Sequence, residues 1–496
     1  MEFIGRHLEL RQLSAFYQAK QAGLLILYGR RRVGKTALLS HWLEKQKPPN
    51  AFFWTATTHG SAHQLSDFTQ TVMRLDPRLS EPPAKNFSFA SWKEAFYYLG
   101  ALADLLKKPW LVVLDEFTNL MQSEPALPSI LQEAWDHRLS KAANLKLVLT
   151  GSLVSIMEDG MLAKNAPMYG RATSLMRLRP LPFGALSLFF PNWTAPDRVA
   201  VFAVCGGIPA YISLFYGQPD FFTGLRERAL EPGSLLYSDA ELLLHERLHQ
   251  PQIYESVLAT LASGYHEWTE IARMAHVPEA QLSYYLQTLQ TLEFAERRDP
   301  ILAASPSRQG RYYVQDPFLR FYYRFIVPQR TEIARGSLDG VASAISDHLR
   351  DFIGRYVFED LCREWVWAEA QAGELGFKPE MVGRFWSMRK GMAVDLDVVA
   401  AHRGQEQLFI GEAKWAPGDL TADILTRLIE RSQRMPQVAK GWKVHYALFT
   451  RDAFSPDLTR EAVALKPRLV NLAQIEQRLI KAMDRPAITW PGKLNI

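Results

Sequence analysis

Cysteine is almost absent from this sequence: Cys205 and Cys362 are the whole complement and lie far apart, so no disulfide framework and no paired-cysteine metal site can be built from them. Long hydrophobic runs are missing too. Nowhere do about 18 uninterrupted apolar residues occur, the length a membrane-spanning helix needs. The opening MEFIGRHLEL carries charges where a secretory signal requires an apolar stretch. Internal repeats and low-complexity tracts are likewise missing. Charge of one sign is not in large excess: 57 Lys and Arg stand against 52 Asp and Glu, a net charge of +5 with a pI near 9.0. That is a mild tilt toward a polyanionic partner. Together these absences predict a cytoplasmic chain in a reducing setting, with no membrane association.

What is present is the composition of packed domains, 48% hydrophobic and 22% charged over 496 residues, a length that predicts about two to four domains. From Leu24 to Ser152, short apolar runs (LLILY, AFFWTA, WLVVLD, LKLVLTGS) alternate with helical stretches, the pattern of strand-helix units around a parallel sheet. An α/β core is expected over residues 1–180. The stretch RLRPLPFGALSLFF leaves it through prolines, and residues 181–249 read as a helical lid broken at CGGIPAYI and LEPGSL. Residues 250–328 read as helix, helix, helix and a short basic hairpin, and residues 340–496 as a last α/β domain after a polar linker.

The stretch GRRRVGKT holds Gly29, Gly34, Lys35 and Thr36 at the spacing of a phosphate loop, between an apolar strand and an apolar helix. Loop N–H groups and the helix N-terminus would face a β-phosphate, with Lys35 reaching the β and γ oxygens and the Thr36 hydroxyl on Mg²⁺. Arg30, Arg31 and Arg32 fill the variable positions, and because the cradle uses main chain their side chains are expected to point outward. A carboxylate is needed on an adjacent strand, and WLVVLDEF supplies Asp115 for Mg²⁺ and Glu116 to orient the attacking water. LKLVLTGS ends in Thr150 and Ser152, a γ-phosphate sensor or a helix cap.

Taken together, FIGRHLEL, GRRRVGKTALL, VVLDEF, LVLTGS, PMYGR and GGIPAYI resemble the archaeal-type ATPase family, within the AAA+/STAND group of P-loop NTPases, over about residues 1 to 330. The resemblance implies an ATP-driven switch with Phe3, Gly5 and Arg6 near the base and Pro209 reaching the nucleotide from the lid. It offers Arg171 as an arginine finger or sensor, against the alternative of a surface residue or helix cap.

In TEIARMAHVPEAQLSYYLQTLQTLEF, Ile271, Ala272, Val277, Leu282 and Leu286 have the spacing of two small helices joined by HVPEA, which resembles a winged helix-turn-helix. The wing would be PILAASPSRQGRYYV, with Arg297, Arg298, Arg308 and Arg311 as phosphate contacts. A packing and relay role for the module is the alternative, and the two are left open.

The stretch AVDLDVVAAHRGQEQLFIGEAKW predicts a hairpin turning at Gly404 and Gln405. Antiparallel pairing then sets Asp397 opposite Glu412 and Asp395 opposite Lys414, all on one face. Carboxylate oxygens suit Mg²⁺ or Mn²⁺, and the lysine would orient a water or stabilise developing phosphorane charge. The stretch resembles the PD-(D/E)XK nuclease core, with Asp397 as its aspartate, Glu412 and Lys414 as its E-x-K element, and Glu359 as the acidic residue of the preceding helix.

The expected fold class is therefore α/β: a P-loop, AAA+-like parallel-sheet ATPase with helical lid, winged helix and C-terminal PD-(D/E)XK-like domain. Three functions compete. The first is an ATP-hydrolysing switch coupled to a metal-dependent nuclease acting on DNA, with ATP and Mg²⁺ as cofactors and Mn²⁺ as an alternative ion. The second is an ATP-dependent DNA-binding or regulatory protein whose nuclease-like domain does not cut. The third is a STAND-like scaffold with a protein partner or a homo-oligomer.

Overall fold

Five short runs in the first 180 residues become the strands Gly23–Tyr28 (β1), Asn50–Thr55 (β2), Trp110–Asp115 (β3), Leu145–Gly151 (β4) and Ser174–Arg177 (β5) of one parallel sheet, ordered β2-β3-β4-β1-β5. The computed structural model describes residues 3–483 apart from 107, 246, 247, 249, 304, 305 and 390–392. By contacts the chain divides at Pro180/Leu181 into two units.

In the first unit, β1, β3 and β4 are buried at every residue, as interior strands covered on both faces must be, and edge strand β2 alternates. The Lys35–Gln46 helix buries Leu38, Leu39 and Trp42, and Trp42 Nε1 donates to Ser14 Oγ at 2.9 Å in the His7–Gln18 helix. Strand order corrects one expectation. The strand bearing Asp115 and Glu116 is not adjacent to β1, because β4 lies between them. The end of β4, with Thr150 and Ser152, therefore sits between loop and acids.

The second unit begins with helical turns and the Ala195–Cys205 and Leu235–His245 helices, over the segment expected as a lid; that segment's boundary at 249 lies outside the described residues. Three helices, Pro251–Ala262, Trp268–Met274 and Glu279–Thr291, precede an antiparallel hairpin of Ala295–Arg298 (β6) and Arg311–Val314 (β7). Ile271, Leu282, Leu286 and Leu289 are buried among them.

A second sheet follows the Glu359–Gln371 helix. Its strands are Met381–Ser387 (β8), Val394–His402 (β9), Gln407–Lys414 (β10), Lys443–Thr450 (β11) and Arg468–Asn471 (β12), in the order β12-β11-β10-β9-β8. Pairing is antiparallel from β8 to β10 and parallel from β10 to β12.

The hairpin and the second sheet share a core. Ile301 packs with Phe385, Leu396 and Leu408, and its N–H donates to the Arg384 carbonyl at 2.9 Å. The Leu472–Ala482 helix opens with a capping box of Asn471 and Gln474. It returns to the Ala195–Cys205 helix through a buried bidentate pair, Arg198 to Glu476, at 2.6 and 2.7 Å. The rest of the expected last domain, residues 484–496, lies outside the described residues. Among the described residues, no helix is long and apolar enough to cross a membrane.

Candidate functional site

β1 ends at Tyr28 and the chain turns at Gly29, where a Cβ would stand 2.3 Å from the Leu178 carbonyl oxygen, so any side chain is excluded. Gly34, with φ of 99°, opens the helix that begins at Lys35. Arg6 braces the loop, its Nη2 donating to the Val33 carbonyl at 3.1 Å and its Nη1 to Glu9 Oε1 at 3.1 Å. Burial holds the Arg6 pKa below the usual guanidinium value, with Glu9 opposing the shift. Arg30, Arg31 and Arg32 are half-buried rather than turned fully outward.

Lys35 is buried, and its Nζ donates to the Gly29 carbonyl at 2.9 Å, the Arg30 carbonyl at 3.4 Å and Ser152 Oγ at 2.8 Å. Ser152 Oγ in turn donates to Glu116 Oε1 at 2.6 Å. A lysine, a hydroxyl and a carboxylate thus form one chain across the strand ends, with β4 supplying the middle link. Thr36 Oγ1 donates to Asp115 Oδ2 at 3.1 Å, and Thr150 Oγ1 donates to Asp115 Oδ1. Glu116 has φ of 52°, a left-handed conformation disfavoured for a side chain with Cβ, and its N–H donates to Thr150 Oγ1 at 3.1 Å. Arg171 is not brought to the loop; its Nε and Nη2 both hold Asp136 at 2.8 Å, and Nη1 donates to the Pro167 carbonyl at 2.9 Å. Pro209 belongs to the second unit, where it begins the short turn Pro209–Ile212.

In the second unit, β9 and β10 pair from Gln407 opposite His402 to Gly411 opposite Val398, around a turn centred on Gly404 and Gln405. Continued by one and three residues, this register sets Asp397 level with Glu412 and Asp395 level with Lys414. Asp397 Oδ2 accepts the Ala413 N–H at 3.1 Å, and Lys414 Nζ holds Glu412 Oε1 at 2.6 Å. Burial, with Glu412 beside it, pushes the Asp397 pKa up. Burial and the neighbouring Asp397 push Glu359 up to about 7, against Arg384 and Arg363. Crowded buried carboxylates of this kind favour a proton or a cation between them.

Arginines from elsewhere in the chain reach this cluster, and periodicity within the hairpin gave no sign of them. Arg431, on the Asp423–Ser432 helix, holds Glu412 Oε2 at 2.6 Å. Arg384, beside a β-bulge in β8, grips Asp395 at 2.7 and 2.9 Å and reaches Glu359 Oε2 at 3.3 Å. Asp395 is therefore turned to Arg384 rather than to Lys414. Among the described residues, no group of three or more His, Cys, Asp or Glu is gathered as a metal site. Asp397 and Glu412 stand as a pair, with Glu359 on their flank.

The arginines expected to reach phosphates from the hairpin are mostly engaged within the molecule. Arg298 Nε donates to Glu296 at 2.7 Å and its Nη2 meets Asp360 at 3.3 Å. Arg311 lies over the Trp386 ring at 5.2 Å and meets Glu267 at 3.6 Å and Asp395 at 3.9 Å. Arg297 donates to the Ser307 carbonyl, and Arg308 is exposed. The hairpin packs on the second sheet, and its arginines meet acids of the hairpin itself, of the Glu359–Gln371 helix and of β9.

Residues 3–215 match a family described as an ATPase domain predominantly from Archaea, and residues 322–426 match a family of archaeal and bacterial proteins of unknown function. The chain carries an archaeal-type P-loop ATPase domain. The first match spans the loop, Asp115, Glu116, Ser152, Arg171 and Pro209; the second spans Glu359, Asp397, Glu412 and Lys414. An uncharacterized protein of Methanocaldococcus jannaschii is 27% identical over 413 residues, 83% of this chain and 87% of that protein. An uncharacterized ATP-binding protein of the same organism is 49% identical over 45 residues, 9% of this chain and 76% of its own length. Among solved structures, the Walker-type ATPase of Pyrococcus abyssi aligns with a TM-score of 0.49 at 21% identity, covering 65% of this chain and 96% of that one.

Proposed function

We propose that the chain is an ATP-driven switch coupled to a metal-dependent nuclease acting on DNA. The observation carrying the second half is the meeting of Asp397, Glu412 and Lys414 at one end of a mixed sheet, with Glu359 from the preceding helix beside them. In this reading the three helices and hairpin of residues 251–314 are a winged helix used as a packing relay, since Arg298 and Arg311 are held by acids of the helix and sheet that follow it.

At the ATPase site, Lys35 would exchange the Gly29 and Arg30 carbonyls for β and γ oxygens of ATP. That exchange would also loosen Lys35 from Ser152 and, through Ser152, change the hold on Glu116, the carboxylate assigned to the attacking water. Thr36 and Asp115 present hard oxygens 3.1 Å apart and fit Mg²⁺. Arg171 is assigned to the nucleotide of a neighbouring copy.

At the second site, Asp397 and Glu412 fit Mg²⁺ or Mn²⁺, because two carboxylates plus water and phosphate oxygens make a usual set for such ions. The ion would polarise the scissile phosphate and lower the pKa of a bound water. Lys414 would position that water or offset phosphorane charge, and Glu359 would hold a proton or an outer water. Arg431 and Arg384 must yield part of their hold on the acids for this to occur.

That last requirement favours a second reading, in which the domain binds DNA without cutting it because its carboxylates stay neutralised by arginine. Incubating the protein with single-stranded and duplex DNA and with RNA, with and without ATP and Mg²⁺ or Mn²⁺, separates the two. Metal-dependent cutting is expected; binding without cutting in every condition selects the second reading.

A further inference from the structure

Beside the Glu412–Lys414 pair a cleft of about 380 Å³ opens against the Asp423–Ser432 helix, lined by Lys414, Arg427, Arg431 and Arg434 with Glu412 and Glu430. Four cations face two carboxylates, and Glu412 is already shared between Lys414 and Arg431. Arg427 and Arg431 lie one turn apart on that helix, and Arg434 follows in the turn just past its end at Ser432, so the three are spread over roughly 10 Å at about 1.5 Å per residue.

We infer that this cleft binds the phosphodiester backbone of a nucleic-acid strand, with Arg427, Arg431 and Arg434 each taking a phosphate. Arginine heads spread over roughly 10 Å can each meet a different phosphate of one strand. Guanidinium groups suit the task because they grip phosphate oxygens in pairs. None of the three is locked away. Arg427 is tied to Asp423 at 2.9 Å in an exposed pair of little worth. Arg434 donates to the Ala393 carbonyl at 3.0 Å, and Arg431 to the Asp395 carbonyl at 3.3 Å, contacts that hold both heads over the start of β9. A phosphate that draws Arg431 away would leave Glu412 to Lys414 and an arriving cation. An apolar ligand finds little to bury here, and a single small anion uses one arginine of three.

The inference rests on the nuclease reading for the direction in which a strand runs, toward Glu412 and Lys414, yet binding can be measured without cutting. The test is fluorescence anisotropy of a labelled single-stranded 20-mer DNA in EDTA across a salt series, comparing wild type with the Arg427→Gln/Arg434→Gln double variant. The double variant is expected to bind at least tenfold more weakly and to lose about 1.4 units of log-log salt slope, about 0.7 per phosphate contact. Arg427→Lys/Arg434→Lys should keep most of the slope, and an unchanged thermal unfolding profile reports that each variant is folded. Affinity within twofold of wild type with an unchanged slope overturns the cleft, as does equal competition by inorganic phosphate and by unlabelled strand at matched phosphate concentration. If the double variant loses binding but wild type cuts nothing with any metal, the cleft stands and the nuclease reading falls. If wild type cuts and the double variant binds and cuts alike, only the cleft falls.

Discussion

The phosphate loop and the carboxylate hairpin are both short motifs at the ends of sheet strands, yet they assemble differently. Almost everything around Lys35 comes from adjoining strand ends of one parallel sheet, and each polar group meets a partner of its own motif set: Ser152, Glu116, Thr36 and Asp115. The hairpin acids instead meet Arg384 and Arg431, brought in from β8 and from the Asp423–Ser432 helix. A parallel sheet collects its loops at one end, so a motif spaced along the sequence becomes a site. A hairpin sets only its own register, and the rest of its surroundings is long-range.

The comparison breaks most sharply at Lys35. Lys35→Ala should abolish ATP hydrolysis, a loss of at least about 10²–10³-fold for one preorganised cation, read in a phosphate-release assay. Turnover near wild type in a folded variant would remove the phosphate-loop assignment. Asp397→Ala and Glu412→Ala should each abolish cutting while leaving ATP turnover within about twofold, because the two sites use separate side chains. Loss of both activities together would mean that the acids serve the fold.

Glu116→Gln should keep ATP and slow its hydrolysis by about 10²-fold or more, since the amide preserves shape and removes the carboxylate proposed to orient water. Equilibrium nucleotide binding checks the first half, and loss of binding would assign Glu116 to the fold or the metal shell. The smallest effect lies in the hairpin. Arg298→Gln with Arg311→Gln should lower stability by about 1–2 kcal/mol, from part-exposed ion pairs and two cation–π contacts, Arg298 on Tyr313 and Arg311 on Trp386. It should leave the salt slope of DNA binding unchanged, and a slope reduced by a phosphate contact for each arginine would return the hairpin to DNA.

Much of the fold was legible. The continuous apolar runs of β1, β3 and β4 announce interior parallel strands, and the turn at Gly404 and Gln405 follows from symmetry about the two alternating arms. Ser152 was visible as a polar strand end, although its position between Lys35 and Glu116 depends on β4 lying between β1 and β3, which no local pattern encodes. Ile301 reads as loop in sequence and is core in the structure, because its partners Phe385 and Leu396 lie some eighty or more residues on. Arg384 sits at a bulge, where alternation fails. Arg431 reaches Glu412 from the Asp423–Ser432 helix, a contact that the alternation of the hairpin does not encode.

Cutting by the carboxylate hairpin is what most separates this protein from a regulatory ATPase. The most direct measurement is the rate of DNA cleavage in Mn²⁺ and ATP by wild type and Lys414→Ala at matched ATP turnover. Lys414 is half-exposed and its removal leaves Asp397 and Glu412 in place, so the variant should keep its fold and the carboxylates proposed to hold metal. The account predicts metal-dependent cutting by wild type and none by the variant, whereas equal cutting by both, or none by wild type, would contradict it.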